Sequence, residues 1–231
     1  MGAPDARGVL NHRLERLRTR LTAAGGQNIR IVAVTKGHTP ATVSAAIAAG
    51  CHDIGESYAQ ELCQKNPALR TCGDQRPQVH FIGGLQRNKI RKIAEIVDIW
   101  QSIDRYSLGQ ELAQRSPHAR VLVQVAISDE ESKRGCATNA VPELVDKLTQ
   151  LNLRVIGLMG IGPIGTPEEA RPAFRQLRQL VDQLGLKECS MGMTNDLEVA
   201  VQEGSTMVRV GTDLFGPRPP RVPKQAIFAD G

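Results

Sequence analysis

Short apolar runs and amphipathic stretches alternate along the chain. Apolar runs occupy residues 29–35, 53–56, 79–82, 99–103, 120–127, 154–161, 188–193 and 207–210. Each is short and bounded by Gly, Pro or polar residues, and several are rich in β-branched side chains. That is the pattern of strands buried on both faces. Helical spacing fills the intervals, at 40–49, 58–64, 88–97, 106–115, 140–151, 167–184 and 196–203. Thr39-Pro40 and Thr166-Pro167 place an N-cap before an N1 proline, and Gly185 and Gly204 stand where helices should stop. Ahead of the first strand, Leu10, Leu14, Leu17 and Leu21 recur at helical spacing over 9–24, with arginines on the other faces.

Alternating strand and helix argues for a parallel sheet with its helices outside. Eight units in 231 residues point to one closed (β/α)8 barrel with an extra N-terminal helix. An open doubly wound sheet is the alternative, but no Gly-x-Gly-x-x-Gly opens a helix after the first strand. The expected organisation is a single domain over 1–231, with a helix at 9–24 and a basic, proline-rich tail at 217–231.

Composition narrows the function classes. Hydrophobic residues make up 41%, which is globular. No apolar run reaches membrane-spanning length, and the N-terminus lacks the apolar core of a secretory signal. Alanine at position 6 breaks a myristoylation pattern. Five cysteines without a C-x-x-C fit reduced thiols in a cytoplasmic protein, with no metal site. The net charge of +5 sits at the ends. Residues 1–20 carry five Lys/Arg against two acids, and 216–231 carry three against one. With aromatics at 3%, nucleic-acid binding is not expected. A solvated basic helix and tail explain the excess.

In such a barrel the functional groups lie at the C-terminal ends of the strands. Lys36 follows the first run. There it either reaches solvent or, partly stripped of water, serves as an amine nucleophile. Ser190-Met191-Gly192-Met193-Thr194 and Gly211-Thr212 follow the seventh and eighth runs. They read either as ordinary turns or as a phosphate cradle. Arg209, between apolar neighbours, needs a buried partner: a carboxylate such as Asp213 or Asp104, or a ligand acceptor. Lysine, cradle and inward arginine together describe a pocket for pyridoxal 5′-phosphate (PLP).

Ordered motifs over roughly residues 10–218 carry a family resemblance. They are Val32-Ala-Val-Thr-Lys36, Ile54-Gly-Glu-Ser-Tyr58, His80-Phe-Ile-Gly83 with Leu85-Gln-Arg-Asn-Lys89, and Ser102-Ile-Asp-Arg105. They continue with Ile127-Ser-Asp-Glu130, Gly157-Leu-Met159, Ser190-Met-Gly-Met193 and Met207-Val-Arg-Val-Gly-Thr212. The chain resembles the YggS/PROSC-type PLP-binding family, the pyridoxal phosphate homeostasis proteins. Ser57 stands where that family usually has Asn, Gly84 where it has Pro, Val79 where it has Trp and Asn195 where Asp is common.

The resemblance implies a barrel of the alanine racemase N-terminal domain type, with PLP held as an internal aldimine on Lys36. The implied cofactor-binding set is Lys36, Ser57, Met159, Ser190, Met191, Arg209, Gly211 and Thr212. Within it Ser190 and Gly211-Thr212 serve the phosphate and Arg209 faces the pyridine nitrogen. It implies PLP homeostasis, storage and delivery to PLP-dependent apo-enzymes, without established turnover; a monomer is expected. A racemase or related PLP enzyme stays as the alternative and would need a second base, from Tyr58, His80 or a partner chain. In alanine racemase a second domain supplies that base, and none is expected after the eighth strand here.

Overall fold

The structure, a computed structural model, describes residues 6–73, 76–128 and 134–218. The strands are β1 (Arg30–Val34), β2 (Asp53–Glu56), β3 (Gln78–Phe81), β4 (Ile99–Ile103), β5 (Arg120–Ala126), β6 (Cys136–Ala137), β7 (Arg154–Gly160), β8 (Glu188–Ser190) and β9 (Met207–Val210). All pair in parallel. The order runs β4-β3-β2-β1-β9-β8-β7-β5, and a β4–β5 pairing closes the ring. Eight strands make the barrel, and β6 is a two-residue addition beside the end of β5. The seam between β1 and β9, the first and last strands of the barrel, sets Val32 opposite Arg209.

The helices are α1 (Ala6–Ala23), α2 (Pro40–Ala48), α3 (Ala59–Arg70), α4 (Arg87–Ile93), α5 (Tyr106–Arg115), α6 (Val141–Gln150), α7 (Arg171–Gln183), α8 (Leu197–Gln202) and α9 (Thr212–Phe215). Several differ from the sequence expectation for local reasons. The third helix continues through Pro67 to Arg70 instead of stopping at 64. The stretch 167–184 splits into a 3-10 turn, Pro167–Ala170, and α7, with Pro172 in the first turn of the new helix. The seventh barrel strand ends at Ser190 rather than 193, because Gly192 takes a left-handed φ of +94° and turns the chain. The helix expected over 88–97 gives way after Ile93 to tighter turns.

The main apolar layer lies between strands and helices and includes Phe81, Trp100, Leu112, Leu148 and Phe174. Leu10, Leu14, Leu17 and Leu21 of α1 are all buried in a second cluster with Ala33, Ile54 and Val208. The 3.6-residue spacing read from the sequence is therefore a packing face. The arginines of α1 are not all solvated, however. Arg13 donates to the carbonyl of Leu214 at 3.0 Å. Arg20 donates to Glu198 at 2.7 Å and to the Thr194 carbonyl at 3.2 Å, and pairs with Asp213. The helix thus holds the loops after β8 and β9 from outside. Residues 219–231, most of the expected basic tail, lie outside the described residues.

Among the described residues no helix is long and apolar enough to cross a membrane, and no cluster of His, Cys, Asp and Glu could hold a metal ion. All five cysteines are free. Burial pushes the Cys51 thiol up to about 11 and the Cys189 thiol up to about 12, so both stay protonated and unreactive at neutral pH.

The Leu17 side chain is fully buried at the centre of the α1 seat. Leu17→Ala should lower unfolding free energy by about 2–5 kcal/mol, measured by urea titration. A loss under ~0.5 kcal/mol would mean that α1 is not packed on the barrel in solution.

Candidate cofactor-binding site

A cavity of about 440 Å³ opens at the C-terminal ends of β1, β7, β8 and β9. Lys36, Arg209 and Arg218 bring positive charge to its walls, with the His38 ring and the Thr194 and Thr212 hydroxyls beside them. Asp196 is the one carboxylate on the lining among the described residues. Val34, Ile82, Ile161 and Pro163 supply apolar surface. Such a cavity suits a flat, partly apolar molecule that carries negative charge.

Each polar group arrives there through its strand. Lys36 stands two residues past the end of β1, where Gly37, at φ +78°, turns the chain sharply. Burial pushes its ammonium below the ordinary lysine value, with Arg218 and Arg209 adding to the fall and Glu56 opposing it. The aliphatic part of Arg218 lies over Gly37, its Cδ 3.1 Å from where a Cβ would stand. Gly211 opens α9 against β1; a Cβ there would stand 3.2 Å from the Val34 carbonyl oxygen. Gly211 and Thr212 both line the cavity there.

Arg209 is 5% exposed and points along the inside of the barrel. Its Nη1 donates to the backbone carbonyl and the Oγ of Ser190, both at 2.8 Å, and Nη2 donates to the Gly160 carbonyl at 2.9 Å. Neither carboxylate suggested by the sequence is its partner. Asp213 pairs with Arg20, and Asp104 with Arg105. Among the described residues Arg209 has no ion pair, and burial pushes its guanidinium down to about 10 despite the field of Asp196. It remains charged at neutral pH.

From Arg209 a line of hydrogen bonds runs down the barrel. Ser190 Oγ donates to Gln101 Oε1 at 2.7 Å, and Gln101 Nε2 meets His80 Nδ1 at 2.8 Å. His80 Nε2 lies 2.8 Å from Asp53 Oδ1. With the Gln101 amide donating, Nδ1 accepts and the His80 proton sits on Nε2, donating to Asp53. All four links then point the same way, from guanidinium to carboxylate.

These positions sort the residues expected from the sequence. Lys36, Arg209, Gly211 and Thr212 line the cavity together. Ser57, Met159, Ser190 and Met191 do not. Ser190 and Met191 are 0% exposed. Met159 lies within a small cluster with Ile99 and Leu122, and the Ser57 backbone packs on Gly83. Ser190 accepts from Arg209 behind the cavity wall. Tyr58, which is exposed, and His80, which is buried, also lie off the lining, so neither is placed as a base at the mouth. Thr194, His38 and Arg218 were missed as lining residues. Thr194 had a signal, being the hydroxyl that ends the seventh-strand motif; Arg218 had none, because only the closed fold brings residue 218 beside residue 37.

The alanine racemase N-terminal domain model matches residues 7–219. A pyridoxal phosphate homeostasis protein from Pseudomonas aeruginosa is 43% identical over 214 residues, covering 88% of this chain and 91% of that protein. One from Escherichia coli K12 is 37% identical over 226 residues, covering 90% and 96%. The structure of PipY from Synechococcus elongatus with PLP bound superposes at a TM-score of 0.80, with 33% identity and 90% and 100% coverage. A lysine decarboxylase from Selenomonas ruminantium, at 16% identity and a TM-score of 0.69, shares the fold over 60% of its own length.

Two measurements test this geometry. Gln101→Leu orphans the buried Ser190 hydroxyl and His80 ring nitrogen, and should destabilise the protein by about 1–3 kcal/mol per orphaned group; an unchanged urea midpoint would discount the line. Competitive acetylation across pH should find Lys36 titrating below the surface lysines. Arg218→Ala should move that midpoint upward, since a neighbouring cation that disfavours the ammonium is gone. A midpoint that stays put would show that Arg218 does not act on the amine.

Proposed function

Because this chain belongs to the pyridoxal phosphate homeostasis protein family, we propose that it binds PLP in the cavity as an internal aldimine on Lys36 and serves to store and deliver the cofactor. One observation carries the reading. A lysine with a depressed pKa shares a cavity with a glycine-opened helix start and a buried arginine that has no ion pair among the described residues. An unprotonated amine condenses with an aldehyde, releasing water. PLP supplies the aldehyde, a pyridine nitrogen and a phosphate, and each has a matching group here.

Lys36 supplies the amine, and burial together with Arg218 and Arg209 lowers its affinity for a proton. Arg209 offers a fixed donor to the ring nitrogen. Gly211, Thr212 and Thr194 offer donors to the phosphate at the start of α9 and in the loop after β8. Ser190 acts behind them, holding the guanidinium still. Residues 1–231 work in this reading as one cofactor-binding domain.

We propose binding without established turnover, because a donor at the ring nitrogen leaves it unprotonated and the ring a weak electron sink. No tyrosine lines the cavity, which leaves weak racemase-like side activity at most. Delivery to PLP-dependent apo-enzymes in the cytoplasm, by a monomer, completes the proposal.

Adding PLP to the purified protein should produce a visible absorbance band that borohydride bleaches. Mass spectrometry should then find the reduced pyridoxyl group on the Lys36 peptide. Pyridoxal without its phosphate should bind far more weakly. A protein that takes up no PLP, or that carries the label mainly on surface lysines, would end the proposal.

A further inference from the structure

The cofactor reading leaves unused a group of charged side chains behind Lys36. Glu56, at the end of β2, is 0% exposed, and Lys65, on α3, is 2% exposed. Lys65 Nζ donates to Glu56 Oε1 at 2.6 Å and to the Thr35 carbonyl at 2.7 Å. Thr35 Oγ donates to the same Glu56 oxygen at 2.5 Å. One helical turn before Lys65, Glu61 Oε2 accepts the Gly37 N–H at 2.8 Å and lies 3.8 Å from Lys65 Nζ. The residues immediately before and after Lys36 are therefore both tied to α3. Lys36 makes no hydrogen bond among the described residues.

The cost of this arrangement argues that it has a use. Burying a lysine and a glutamate costs hydration that their attraction often fails to return, and apolar replacements are frequently as stable. Glu56 Oε2 is buried with no hydrogen-bond partner. Burial pushes the Glu56 carboxyl up, while Lys65 and Thr35 pull it back. What the network gains is a fixed backbone at one place. Gly37 needs its left-handed turn held, and Glu61 holds it. The Thr35 carbonyl, which also accepts from the His38 N–H at 3.0 Å, is held by Lys65.

We infer that Glu56, Lys65 and Glu61 form a positioning clamp that fixes the backbone on both sides of Lys36 and so aims its amine into the cavity. The inference rests on reading Lys36 as the covalent tether. None of the three lines the cavity, so they are positioning residues and act only through the peptide units they grip.

Glu61 offers the cleanest test, since its side chain is 27% exposed and its removal leaves the buried pair in place. Glu61→Ala should unfold at nearly the wild-type temperature and lose hydrogen-exchange protection at the Gly37 amide. It should form the reducible PLP adduct on the order of tenfold to a hundredfold more slowly. Glu61→Gln keeps an acceptor for Gly37 and should recover most of the rate. Acetylation of Lys36 relative to the other lysines, without PLP, reports on the amine independently and should also change in Glu61→Ala. A wild-type adduct rate in Glu61→Ala despite a freely exchanging Gly37 amide would overturn the clamp. So would a Glu61→Gln protein as slow as Glu61→Ala. If the wild-type protein forms no adduct at all, the cofactor reading falls instead, and unchanged Lys36 acetylation in Glu61→Ala would then reject the clamp by itself.

Discussion

The site depends on holding one guanidinium inside the barrel. Moving an ion out of water costs several kcal/mol even after relaxation, and Arg209 has no carboxylate against it among the described residues. Its charge is spread instead. Two backbone carbonyls and a hydroxyl accept its N–H hydrogen bonds, and that hydroxyl begins the line through Gln101 and His80 to Asp53. Aligned dipoles reinforce one another where the dielectric is low. An interior of branched aliphatic residues, usual in such barrels, would be cheaper. The polar column is what allows a positive charge to stand at the floor of the cavity.

Lys36 and Lys65 show how environment divides one residue type between two jobs. Lys65 is buried deeper, but a carboxylate and a carbonyl grip its ammonium within hydrogen-bond distance. Lys36 is less buried, yet two arginines lie near it, and among the described residues its ammonium has no hydrogen-bond acceptor. The deeper lysine is thus held in place by its partners, and the shallower one is the amine whose affinity for a proton is lowered.

Much of this was legible in the sequence. Strand positions, the ring of βα units and the α1 seat follow from periodicity, because buried faces leave a period that does not depend on tertiary detail. Lys36, Arg209 and Gly211-Thr212 were legible because they end strands, and strand ends in a barrel share one face. Ser190 and Met191 were harder: a motif says that a strand end is special, but not which of its side chains turn toward the opening. Glu56 and Lys65 were not legible. Lys65 falls just past the helix expected over 58–64, and only the continuation of α3 and its packing over the end of β2 turn it inward. Arg13 and Arg20 looked like part of a solvated basic face for the same reason.

The seam between β1 and β9 joins residues more than 170 positions apart, so it is among the last contacts that chain growth allows. Until β9 arrives, Lys36 has no Arg209 beside it, no α9 across from it and no Arg218 above it. It is then an ordinary hydrated lysine with an ordinary affinity for protons. The lowered proton affinity of Lys36 is a property of the closed ring, and a growing or partly folded chain does not have it.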